Sequence, residues 1–185
     1  MRVIAGQWRG RPLAAPRGEA TRPTSDRARE TLFSMLTSRL GAFAGLRVGD
    51  FFAGSGALGI EALSRGAGSC LFVEHDAEAV KALKTNLATL GAHGEIRASS
   101  VMALPPAREP LDLLLFDPPY RTGAGAVAIE RLARLGWIGP ASWLSLETAA
   151  KEDAGVRGFD VVAERRVGAA RLTLLRMPAA DAPPG

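Results

Sequence analysis

The stretch Asp50-Phe51-Phe52-Ala53-Gly54-Ser55-Gly56-Ala57-Leu58-Gly59 constrains the fold of this chain more than any other. It joins an apolar run, residues 48–52, to a helical one, residues 58–64, through a G-x-G-x-x-G turn, and Glu74 stands twenty residues beyond the first glycine. Glycines in such a turn let the backbone bend sharply and approach a ligand closely. An acidic group ending the next strand can accept hydrogen bonds from both ribose hydroxyls. Any adenosine-containing cofactor, NAD included, satisfies this much.

Around the turn, strand and helix patterns alternate. Strands are expected at residues 48–52, 70–74, 95–98, 111–116 and 143–147, with helices at 58–64, 77–90 and 124–135 between them. The run Leu111-Asp112-Leu113-Leu114-Leu115-Phe116 is typical of a strand buried on both faces. A mostly parallel sheet covered by helices follows. Two last strand patterns, residues 160–167 and 170–177, are separated by the hairpin-length Gly168-Ala169, so the seven-stranded sheet closes on an antiparallel pair. Before this domain, a helix capped by Thr24 or Ser25 carries Ala28, Leu32, Met35, Leu36 and Leu40 on one face and ends at Gly41. Residues 1–24 form a basic extension with a short strand at Val3-Ile4-Ala5, residues 25–178 the α/β Rossmann-like domain, and residues 179–185 a flexible tail.

Asp50 separates the cofactor options. A carboxylate beside a pyrophosphate repels it, whereas beside the ammonium of a methionine moiety it makes a charge-assisted hydrogen bond. S-adenosylmethionine therefore fits better than NAD. His75 has no partner visible in sequence and is expected at the surface.

The turn Asp117-Pro118-Pro119-Tyr120 ends the most apolar strand, at the carboxyl edge where open α/β sheets bind ligands. An exocyclic base amine is a poor nucleophile because its lone pair is delocalised into the ring. Hydrogen-bond acceptors that hold its hydrogens favour a pyramidal nitrogen. Asp117 offers a carboxylate and Pro118 a carbonyl whose own nitrogen has no hydrogen, with Pro119 stiffening the turn. Tyr120 gives an aromatic face for an unstacked base. The cofactor's methyl arrives activated, so neither a metal nor a nucleophilic cysteine is expected.

Charge placement suggests the substrate. Residues 1–30 carry seven arginines against three acidic residues, a surplus equal to the whole chain's net charge of +4. Arginine suits phosphate because its planar fork donates two parallel hydrogen bonds. The single cysteine, Cys70, lies in an apolar run and reads as a core residue of a reducing, cytoplasmic compartment. Neither a signal peptide nor a membrane segment is expected.

With these motifs in order, the sequence resembles the class I methyltransferases that carry a D/N/S-P-P-Y/F/W motif for amino methylation. More narrowly, it is similar to the bacterial 16S ribosomal RNA guanine-N2 methyltransferases that modify guanine 966. Gly6-Gln7-Trp8-Arg9-Gly10-Arg11, Arg22-Pro23-Thr24-Ser25-Asp26-Arg27, Arg29-Glu30-Thr31-Leu32-Phe33 and Glu61-Ala62-Leu63-Ser64-Arg65-Gly66-Ala67 carry the likeness along with the glycine loop. The resemblance implies that Asp50, Phe52, Ala53, Gly54, Ser55, Gly56 and Gly59 hold the cofactor, with Glu74 at its ribose. It further implies that Asp117, Pro118, Pro119 and Tyr120 receive the guanine. Trp8, Arg9, Arg11, Arg22, Thr24 and Arg27 would contact 16S rRNA in a small-subunit particle, the protein acting as a monomer. Where related enzymes often carry Asp or Asn near the adenine, this chain has Ser99-Ser100, so Ser100 is the candidate there.

Three other readings stay open at this level. The same proline turn serves an adenine-N6 methyltransferase of DNA or RNA. The glycine loop with Glu74 would serve an NAD-dependent dehydrogenase. The arginine segment alone would serve a non-catalytic RNA-binding module.

Overall fold

The structure, a computed structural model, describes residues 1–17 and 25–180. Arg22 and Thr24, like residues 181–185 of the expected tail, lie outside the described residues. Helix α1 (Asp26–Leu40) is capped by the Ser25 side chain, which accepts from the Ala28 amide, and it stops at Gly41. It buries Ala28, Leu32, Phe33 and Leu36 as its periodicity requires, and also Arg29.

Then follow β1 (Arg47–Phe51), α2 (Ala57–Ser64), β2 (Ser69–Val73), α3 (Ala77–Leu90), β3 (Glu95–Arg97), β4 (Leu113–Phe116), α4 (Ala124–Arg134), β5 (Trp143–Ala149), β6 (Asp160–Val167) and β7 (Ala170–Arg176). The seven strands form one sheet in the order β3-β2-β1-β4-β5-β7-β6. β1 to β5 run parallel, while β7 is antiparallel to both β5 and β6. This is the class I methyltransferase architecture, with the C-terminal antiparallel hairpin that Gly168-Ala169 signalled.

Two apolar layers sandwich the sheet. Leu32, Phe33 and Leu36 of α1 pack with Phe72, Leu113, Leu115, Leu172 and Leu174 on one face. Phe51, Leu114, Phe116, Ile129 and Leu132 fill the other. All four β4 side chains are buried, each contributing about 1.5–3 kcal/mol. Among the described residues no helix is long and apolar enough to cross a membrane.

The N-terminal strand expected at Val3-Ile4-Ala5 does not form. Residues 1–13 instead make a loop with a single antiparallel bridge, Arg2 to Pro12, flanked by Val3 N–H to Arg11 O at 2.9 Å and Gly10 N–H to Val3 O at 2.9 Å. The reason lies in α2: the Glu61 carboxylate accepts the Ile4 and Ala5 amides at 2.9 and 3.0 Å, so those donors are taken from any strand ladder.

Candidate active site

The strand order reverses between β1 and β4, and the glycine loop and the proline turn leave the sheet side by side at that switch point. Phe51 pairs with Val73 on one side and Phe116 on the other, and Phe116 pairs with Leu146. One residue further on, Glu74, Phe52 and Asp117 follow the ends of β2, β1 and β4 at the level of Glu147 within β5, about 4.8 Å apart from strand to strand. Phe52 and Arg121 are the non-glycine residues with positive φ among those described, at 62° and 60°. One opens the glycine loop and the other follows Tyr120, so backbone strain falls on both turns at this edge.

Asp50 is 1% exposed. Its Oδ2 accepts the Gly59 amide at 2.9 Å, while Oδ1 is buried with no hydrogen-bond partner among the described residues. Burial pushes its pKa well above the usual carboxylate value and the charges of Asp117 and Glu74 add to this, against the opposing Gly59 hydrogen bond. A buried carboxylate with one idle oxygen suits an incoming cation. Gly54, at φ +57°, has open space where a side chain would stand. Gly59 differs: a Cβ there would lie 2.4 Å from Phe72 Cε1, so this glycine serves the contact of α2 with β2.

Glu74 holds the loop as well as facing it. Its Oε2 accepts the Gly54 amide at 2.8 Å, and Oε1 accepts the His75 and Asp76 amides, each at 2.9 Å. Three of the roughly four lone-pair sites on this carboxylate are thus engaged by backbone amides. Ser55 is buried, and its carbonyl accepts from Asn86 Nδ2 at 2.9 Å. Ala53 donates its amide to Val73 O at 3.0 Å, which fixes the loop to β2. Gly56 caps α2 in the left-handed conformation. Ser100 is exposed, and its hydroxyl oxygen caps the short turn Val101–Ala103 by accepting from Met102 N. His75 is exposed, as expected.

In the second turn Asp117 is half-buried, Pro118 buried and Pro119 exposed. The Pro119 carbonyl accepts from Thr122 Oγ1 at 2.8 Å. The half-buried Tyr120 donates its hydroxyl to Glu147 Oε1 at 2.9 Å.

Residues 1–176 match the family model described as conserved hypothetical protein 95. The Escherichia coli ribosomal RNA small subunit methyltransferase D is 38% identical over 150 residues, covering 80% of this chain and 74% of that protein. Its Haemophilus influenzae counterpart is 40% identical over 154 residues, covering 80% and 78%. The chain belongs to the ribosomal RNA small subunit methyltransferase D family. A solved structure, that of yhhF from Escherichia coli, superposes with a TM-score of 0.84 at 34% identity, over 97% of this chain and 99% of that one. The methyltransferase D family is the one the D-P-P-Y turn and the glycine loop resembled.

Of the residues expected to meet RNA in this methyltransferase D fold, Trp8, Arg9, Arg11 and Arg27 lie among the described residues. Trp8 is half-buried against the core, its amide donating to Ser64 Oγ at 3.1 Å, so packing is its observed role. Arg9 and Arg27 are exposed, whereas Arg11, also exposed, donates to Thr89 O at 3.0 Å. Three residues escaped the sequence reading. Glu147 passed as a strand end, although a carboxylate in Leu144-Ser145-Leu146-Glu147 was the available signal. Arg29 was one arginine among many, yet it is fully buried, pairs with Asp26 at 3.0 Å, approaches Glu61 to 3.9 Å and donates to the Arg2 carbonyl. Asn86 joins the extension to the cofactor loop: Oδ1 accepts from Ala14 N at 2.7 Å while Nδ2 donates to the Ala14 and Ser55 carbonyls.

Proposed function

We propose that the protein transfers a methyl group from S-adenosylmethionine to the exocyclic N2 amine of a guanine in 16S rRNA. The observation that supports this reading is the register of β1 and β4, in which Phe51 pairs with Phe116, so that Asp117 follows its strand beside Phe52 at the opening of the glycine loop. S-adenosylmethionine supplies an electrophilic methyl on a sulfonium. The Asp50 Oδ1 would hold its ammonium and the remaining Glu74 lone pair its ribose, while the small side of the loop at Gly54 admits its backbone. Asp117 and the Pro118 carbonyl accept the amine hydrogens, which localises the nitrogen lone pair, and the Asp117 carboxylate takes the departing proton. Tyr120, held by Glu147, offers its ring to the flipped base.

The relatives, ribosomal RNA small subunit methyltransferases by name, favour ribosomal RNA of the small subunit over DNA and the methyl-donor reading of the loop over the NAD reading. Choice of guanine N2 over adenine N6 rests on the family likeness. The basic extension with Arg9, and Arg27 at the start of α1, would steer RNA toward the pocket, in an assembled small-subunit particle met by a monomer.

Labelled methyl transfer to small-subunit particles lacking the modification, followed by digestion to nucleosides, tests this. N2-methylguanosine is the expected product, and Asp117→Ala is expected to slow its formation about a hundredfold or more. N6-methyladenosine, or no labelled base, overturns the reading.

A further inference from the structure

Along the β6 edge of the sheet, away from the glycine loop, α1 and β6 part to leave a cleft of about 440 Å³. Arg27, Thr31, Ser34, Ser38 and Arg39 line it from the helix and Arg165 from the strand. Arg27, Thr31, Ser34 and Ser38 recur at intervals of four, three and four and form one stripe, and Arg39, four residues after Met35, flanks its end, so the lining runs about 18 Å along α1. A helix face turned toward a strand ordinarily carries apolar side chains. Here only Met35 and, across from it, Ala163 are apolar; the rest of the lining is hydroxyls and guanidinium groups, and the three arginines face one acidic lining residue, Glu30.

The register fixes where the cleft leads. Arg165 pairs with Leu172, and Leu172 pairs with Glu147. Arg165 thus lies on the same sheet face and at the same level as Glu147, two strand spacings or about 10 Å away. The next strand over from Glu147 ends in Asp117. At the other end Arg39 donates to the Val162 carbonyl at 3.4 Å. One mouth of the cleft therefore opens at the edge of the sheet that holds the proline turn.

We propose that this cleft seats backbone phosphates of the RNA strand flanking the target base, as a second anchor besides the N-terminal extension; the proposal rests on the rRNA-methylation reading above. Arginine forks bind phosphate oxygens bidentately and the serine and threonine hydroxyls donate to the same oxygens. Such contacts fix register without reading sequence, which is what a base flipped into a pocket about three strand spacings, or about 14 Å, away requires.

The test compares the wild-type protein with R39A/R165A and R39K/R165K, all positions being exposed. Binding of a 16S rRNA fragment carrying the target guanine is followed by fluorescence anisotropy against potassium chloride, with melting temperature as the control for folding. The alanine pair is expected to lose about tenfold or more in affinity, and its log K against log salt slope to become shallower by about 1 to 2. The lysine pair is expected to recover most of that slope. Wild-type affinity and slope in the alanine pair overturn the proposal. So does binding to free RNA unchanged while binding to assembled particles is lost, which assigns the cleft to a protein. A wild-type chain that binds no RNA fragment overturns the functional reading and the cleft with it.

Discussion

The Tyr120 hydroxyl donates to Glu147 Oε1 at 2.9 Å, which ties the turn after β4 to the end of β5. Tyr120→Phe keeps the ring and removes this bond. A stability loss of about 1–2 kcal/mol is expected in urea unfolding, with methyl transfer slowed about tenfold as the turn loosens. Tyr120→Ala also removes the stacking face, worth about 1–3 kcal/mol per base, so its rate and RNA affinity should fall further. Equal rates for the two variants would remove the ring from the site.

Asp50 should make both stability and cofactor binding depend on pH. Its pKa in the folded protein is raised, chiefly by burial, above the 3.8 of an ordinary aspartate. The folded chain thus keeps a proton that the unfolded chain releases, and stability falls as pH climbs from near 3.8 toward the raised value. A cationic ligand on Oδ1 favours the ionised form, so affinity for S-adenosylmethionine should rise over the same window. Asp50→Asn is expected to flatten both profiles and weaken binding about tenfold to a hundredfold. Thermal melts and titration calorimetry at several pH values would check it.

Two glycines of one loop should fail for different reasons. Gly59→Ala drives a methyl to 2.4 Å from the Phe72 ring and 2.7 Å from Cys70 Sγ, with an expected cost of about 1–3 kcal/mol in stability. Gly54→Ala meets nothing within 4 Å, so its stability cost is the left-handed backbone alone, about 1–2 kcal/mol. Its larger effect should be on cofactor affinity, because the added methyl stands in the open space of the pocket. Calorimetric Kd values beside melting temperatures separate the two.

Arg29→Ala should be the most damaging change outside the site. It removes one of the two arginines that Asp26 and the buried Glu61 each meet, and it removes the donor to the Arg2 carbonyl. A loss of about 3–5 kcal/mol is expected from the urea midpoint, with faster proteolysis within residues 1–17. A surface-like loss below about 1 kcal/mol would mean that Arg65, which also meets Glu61 at 3.0 Å, suffices.

The parts of the fold that were legible in sequence are those written in local chemistry. Helix α3 runs over the residues its pattern marked because Asp76 caps it, accepting from the Ala79 amide, and Gly91 turns left-handed to stop it. The four apolar residues of β4 could hardly lie anywhere but the centre of a sheet. Long-range pairing was not legible. Val3-Ile4-Ala5 has strand propensity, but a carboxylate more than fifty residues away captures two of its amides. Ser34, Ser38 and Arg39 drew no notice in the sequence, because the β6 strand that makes a cleft of their face lies more than a hundred residues on. For the site, Asp50, Gly54 and Asp117 were readable because each sits at a strand end beside a conspicuous turn. Glu147 has no such marker, and its bond to Tyr120 exists only once β4 and β5 pair.

Helix α2 has one further consequence for anyone trimming this protein. Gly59 near its start serves Asp50, and Glu61 two residues later carries the amides of Ile4 and Ala5 in a position without solvent access. Deleting the first five residues would strip that anion of neighbours it cannot replace with water, within one helical turn of the loop glycines. The opening segment is therefore not a detachable arm, and a shortened chain should misbehave at its pocket before any RNA is offered to it.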